Sequence, residues 1–124
     1  MNGTNFLIDT NIVIYLTKGM LKTSDFAPKG SNLYISTITY IEALGYPFPN
    51  QSDEMAITGL CDTFDRIFLT KDIETQTIII RKSNKIKLPD AIIAATALVH
   101  NLTLVTHDID DFRSIQGLRI LNPI

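Results

Sequence analysis

The order of apolar runs along the chain predicts an α/β fold, a three-layer α/β/α sandwich on a mainly parallel central sheet. Five short runs, "NFLID", "NLYIS", "DRIFL", "LTLVT" and "LRIL", have strand length and composition. The segments between them carry mainly helical patterns. Strands alternating with helices form βαβ units, whose parallel sheet is covered on both faces.

Taken in order, the first strand runs into Asp9, which suits the cap of a helix containing "NIVIYL". The following "KGMLKTSDFAPKGS" reads as helix or loop. After the second strand, Thr39 and Glu42 have the spacing of a capping box. "GYPFPN", with two prolines, is a loop. Ser52 with Asp53 and Glu54 suits the cap and acidic first turn of "SDEMAITGLCDTF", and Thr70 caps "KDIETQTIIIRKSNK". In "LPDAIIAATALVHN", Pro89 fits a first helical turn, and Asn101 fits a left-handed end.

A chain of 124 residues without repeat or linker suits one compact domain over residues 1–124. Its 45% hydrophobic and 19% charged residues exclude a disordered composition, and it lacks an apolar run of membrane-spanning length. "MNGTNFLID" has no basic segment followed by an apolar one, so a soluble, cytoplasmic protein is expected. Cys61 is the only cysteine, which excludes an internal disulfide and a cysteine-rich zinc site and suits apolar packing on a helix. A net charge of −2 argues against a generally basic surface for nucleic acid. If four acids serve one metal site, however, the remaining surface has more bases than acids.

Those four are Asp9, Glu42, Asp90 and Asp108, each near a strand end or helix start. In a parallel α/β sheet the carboxyl ends of the strands share one edge, where ligands bind. Carboxylates gathered there repel one another, and Mg²⁺ or Mn²⁺ relieves the conflict. A structural alternative stands beside each: Asp9 as a cap, Glu42 in a capping box, Asp90 at a helix dipole, Asp108 in a turn.

"LIDTNIVIYL", "ISTITYIEALG", "LPDAIIAATALVHNLTLVTHDIDDF" and "GLRILNP", in this order, resemble the PIN-domain ribonucleases, and among them the VapC-like toxins of toxin-antitoxin pairs. The resemblance implies a Mg²⁺- or Mn²⁺-dependent endoribonuclease whose core metal-binding and catalytic acids are Asp9, Glu42 and Asp90. Asp108 matches a further acidic position, and Asp111 matches another, ranked below it. Asp110 is expected to be solvated. Thr10, Asn11 and Thr106 match hydroxyl or amide positions around the acids. The family commonly has Arg where this chain has His107, which is expected to be an exposed loop residue. His100 suits a helix end.

The basic run holding Arg81, Lys82, Lys85 and Lys87 precedes Asp90 and can guide RNA phosphate, or be a solvated face. Ile78, Ile79 and Ile80 suit the core or a subunit interface. The resemblance further implies RNA as substrate, products with a 5′-phosphate and a 3′-hydroxyl, a homodimer, and inhibition by a small cognate antitoxin whose tail enters the active-site groove. The competing function is a catalytically silent PIN-like module that binds RNA or protein. A receiver-like phosphotransfer domain fits less well, because Asp9 is followed by Thr10 and Asn11 rather than by a second acid.

Overall fold

The computed structural model describes residues 5–124. The amino-terminal leader expectation rests in part on residues 1–4, outside that range. Five parallel strands, β1 (Asn5–Ile8), β2 (Asn32–Ser36), β3 (Asp65–Ile67), β4 (Thr103–Val105) and β5 (Ile120–Leu121), form one sheet in the order β3-β2-β1-β4-β5. Each lies within a run read as a strand. The helices are α1 (Thr10–Thr17), α2 (Thr37–Leu44), α3 (Gln51–Cys61), α4 (Lys71–Ser83), α5 (Leu88–Val99) and the single turn α6 (Ile109–Phe112). The ambiguous segment after α1 is mostly loop, with a 3-10 turn at Thr23–Asp25.

Alternation along the strands builds two cores. Phe6 and Ile8 of β1, with Val105 of β4, pack against Ile12 and Val13 of α1 and Ile57 of α3. Leu7 and Leu104 point the other way, into Ile73 and Ile80 of α4, the alanine-rich face of α5 and Phe112 of α6. The sheet is therefore covered on both faces, as the largely buried central strands β1 and β4 require.

The chain builds outward from β1 to β2 and β3, then crosses to β4 and β5 on the other side of β1. Right-handed crossovers in opposite directions put the two helix groups on opposite faces. The order reverses between β1 and β4, so a crevice opens at their carboxyl ends.

Several local expectations hold and two change. Thr70 caps α4, Pro89 lies in the first turn of α5, and Asn101 adopts a φ of 56°. The end of α5 is a Schellman motif, with Leu102 N–H donating to the Ala97 carbonyl and Asn101 N–H to that of Leu98. The cap of α3, however, is Asn50, whose side chain accepts from Asp53 N–H, because the helix starts one residue before Ser52. Ser36, not Thr39, caps α2, which places Glu42 in the helix interior and removes its capping-box role. The isoleucine run divides: Ile80 is buried, whereas Ile78 and Ile79 are exposed. Cys61 is buried at the end of α3. No helix among the described residues is long and apolar enough to cross a membrane.

Candidate active site

Asp9 is the residue at which β1 becomes α1. Its backbone N–H still donates to the Val105 carbonyl, extending the pairing of β1 with β4, while its side chain caps α1 by accepting from Thr10 N–H at 2.8 Å. The other carboxylate oxygen accepts from the Thr106 hydroxyl at 2.7 Å, just beyond the end of β4. The side chain thus bridges the two strands that flank the switch point. Capping accounts for one of its oxygens only.

Hydrogen bonds extend from this point in both directions. The Thr10 hydroxyl donates to Glu42 Oε1 at 2.7 Å, which ties the acid of α2 to the start of α1. Asn11 Nδ2 donates to Asp108 Oδ2 at 3.0 Å, and the Asp108 N–H donates to the Thr106 hydroxyl at 3.0 Å. His107 N–H reaches Asn11 Oδ1 at 3.4 Å. Thr10, Asn11 and Thr106 therefore each hold one of the predicted acids, and residues as far as 97 positions apart meet. The His107 ring is exposed and lies edge-on to Tyr15.

Burial and charge both act on these groups. Asp9 is only 5% exposed, and its carboxyl is pushed up to about 6, chiefly by desolvation and further by the charges of Asp90 and Glu42. The bonds from Thr106 and Thr10 oppose that rise. Asp90, at the third position of α5, is also raised, first by burial, then by Asp111, Glu42 and Asp108, against the opposing charge of Lys87. Asp111 thus acts on Asp90 more strongly than Asp108 does. Asp110 is exposed and pairs with Arg113 on the surface, an arrangement worth little.

This electrostatic conflict is measurable. Asp90→Asn is expected to leave metal-free stability unchanged or higher while weakening divalent-cation binding, as read by chemical denaturation and by cation titration. If Asp90 only favoured its helix terminus, its removal would cost about 0.3–1 kcal/mol and leave cation binding intact.

Two concave surfaces border the acids. A groove of about 680 Å³ starts at Thr10 and Glu42 and runs past Ile14, Ala43, Tyr46 and Phe48. A cleft of about 560 Å³ brings Arg81, Lys85 and Lys87 beside Asp90, Asp111 and Ser114. Lys82 does not line it. The sequence had not singled out Tyr46, Phe48 or Ser114, although two aromatics in a proline-rich loop were a usable signal.

Among the described residues no three acidic, histidine or cysteine side chains close into a ready-made cage for a cation. The donor chemistry nonetheless fits Mg²⁺ or Mn²⁺. Such ions keep several waters and take only one or two carboxylates directly, and Asp9 is a buried carboxylate in the field of further acids.

Comparison with known proteins bears on the family and the fold. The PIN domain family model matches residues 6–118. A ribonuclease VapC1 from Rickettsia felis is 30% identical over 126 residues, covering 93% of each chain. A toxin-antitoxin complex from Klebsiella pneumoniae contains a chain 34% identical to this one, with a TM-score of 0.74 over 95% of this chain and 97% of that one. DNA-bound VapBC from Salmonella typhimurium, 23% identical, shares the fold with a TM-score of 0.84 over 97% and 98% of the two chains. Matched along almost its whole described length, and with its acids gathered at the switch point of the sheet, the chain belongs to the PIN domain family.

Proposed function

We propose that this chain is a divalent-metal-dependent endoribonuclease, the toxin of a toxin-antitoxin pair, working through Asp9, Glu42, Asp90 and Asp108. The observation that carries this is the buried Asp9 carboxylate, pushed up to about 6 and hydrogen-bonded across the β1/β4 switch point, with three further acids tied to it or acting on it. A structural cap alone does not call for so many uncompensated charges. The similarity to proteins named ribonuclease VapC1 supports the same reaction class.

Asp9, Glu42 and Asp90 would hold the cation, one or two of them directly and the rest through its waters, with Thr10 and Thr106 fixing the directions of Glu42 and Asp9. When bound, Mg²⁺ or Mn²⁺ supplies positive charge that neutralises the phosphoryl oxygens and acidifies water. Asp108, held by Asn11, orients the attacking water, and Asp111, which lines a cleft with Asp90, is the alternative for that role. The water oxygen bonds to phosphorus as the bond to the 3′ oxygen breaks, which leaves a 5′-phosphate and a 3′-hydroxyl. Arg81, Lys85 and Lys87 offer positive charge to the flanking phosphates, and Lys82 extends the basic face outside the cleft.

The groove beside Glu42 supports the antitoxin partner. Its apolar walls suit an amphipathic segment, and its acidic end would place that segment over the site. The exposed Ile78 and Ile79 of α4 offer an apolar face for a homodimer. A cytoplasmic location completes the proposal.

The purified protein is expected to cleave structured RNA with Mg²⁺ or Mn²⁺, to stop on addition of EDTA, and to melt at a higher temperature when either cation is present. Absence of both cleavage and a melting shift across a millimolar titration would leave the silent interaction module as the better account.

A further inference from the structure

We propose that Thr39 is a positioning residue that fixes Glu42 through the hydroxyl of Thr10, an inference that rests on the nuclease proposed above. Thr39 is completely buried at the third position of α2. Thr17, Thr58, Thr77 and Thr96 turn their hydroxyls onto the carbonyl four residues earlier, which satisfies them within their own helices. Thr39 does otherwise. Its only side-chain hydrogen bond among the described residues is to the Thr10 hydroxyl, at 3.2 Å.

Proton accounting gives this contact a direction. The Thr10 hydroxyl has one proton, and Glu42 Oε1 lies 2.7 Å away. An ionised carboxylate only accepts, so that proton goes to Glu42, and the Thr10 oxygen is left to accept from Thr39. The result is a chain from Thr39 to Thr10 to Glu42 that crosses from α2 to α1 and back. Each donor polarises the next, which strengthens the final bond to the carboxylate.

The chain has a purpose in this location. Glu42 is exposed, and a free glutamate side chain samples several rotamers. The relay selects one of them and points the carboxylate toward the residue that follows Asp9. Because Thr39 is sealed in the core, the anchor of the relay is rigid although its end is in solvent.

Thr39→Val keeps the size and shape of the side chain and removes the donor, whereas Thr39→Ser keeps the donor. Thr39→Val is expected to lower kcat for RNA cleavage about tenfold with little change in KM, and to weaken Mn²⁺ binding several-fold as read by electron paramagnetic resonance of the free ion. Thr39→Ser is expected to recover both. Equal behaviour of the two variants, or full activity in Thr39→Val, would overturn the relay.

A third measurement needs neither cation nor RNA. In a double-mutant cycle in EDTA, Thr39→Val and Glu42→Gln are expected to be coupled in the unfolding constant by about twofold or more, and the coupling is expected to vanish in a Thr10→Val background. Its absence would overturn the relay even in an active enzyme. Its presence in a protein that neither binds Mn²⁺ nor cleaves RNA would keep the relay and refute the nuclease.

Discussion

Asp9→Asn is expected to reduce metal-dependent RNA cleavage by roughly a hundredfold or more while the chain remains folded. The substitution nearly preserves shape and removes one negative charge from the centre of the acidic site. Its oxygen can still accept from Thr10 N–H, so the cap of α1 survives. Its amide nitrogen would face Thr106, whose hydroxyl now donates to Asp9 and accepts from Asp108 N–H. That hydroxyl can accept from both groups, but its own proton then has no acceptor there, a cost of about 1 kcal/mol.

Relief from burying an acid works in the opposite direction. Chemistry should therefore suffer far more than folding. Cleavage time courses on material shown by circular dichroism to be folded provide the check, together with a Mn²⁺ titration. Undiminished cleavage by homogeneous Asp9→Asn would end the assignment of Asp9 to the reaction and leave it as the cap of α1.

The second large effect is on stability in the absence of metal. The folded state holds the Asp9 proton up to about pH 6, whereas the unfolded chain releases it near the ordinary value of 3.8. Between these values the folded state binds more protons, so its stability falls as pH rises and stays lower above pH 6. The difference corresponds to about 3 kcal/mol. The raised Asp90 contributes with the same sign.

Other carboxyls titrate in the same range, so the comparison of wild type with Asp9→Asn isolates the effect. In EDTA, urea denaturation between pH 4.5 and 8 is expected to show the wild type losing stability relative to the variant as pH rises. Mn²⁺ at pH 7.5 should return part of that loss to the wild type and little to the variant. A pH-independent difference between the two proteins would mean that burial of Asp9 carries no electrostatic cost.

The carboxylates proposed for the reaction are thus expected to weaken the metal-free fold. A partner that covers the groove beside Glu42 would meet a site already in need of positive charge.

Much of this protein is local information. Strand and helix patterns follow from hydrophobic periodicity, which is why all five strands lie where the apolar runs predicted them. Thr70, Pro89 and Asn101 act on their own helix ends, so their roles could be read from neighbouring residues. Even the placement of Asp9, Asp90 and Asp108 near strand or helix termini is visible in the sequence, whereas Glu42 lies inside α2, and the order of the PIN-like motifs singles out these four acids. Where two local signals competed, as at Asn50 and Ser52 or at Ser36 and Thr39, the helix start was decided by where the preceding loop or strand delivered the chain. Only the tertiary structure brings Thr106 to Asp9, Asn11 to Asp108, and Thr39 through Thr10 to Glu42. Those contacts depend on the reversal of strand order between β1 and β4 and on helices that are distant in sequence. The raised Asp9 carboxyl is likewise tertiary, because desolvation is imposed by the surrounding residues and by no feature of the Asp9 segment alone.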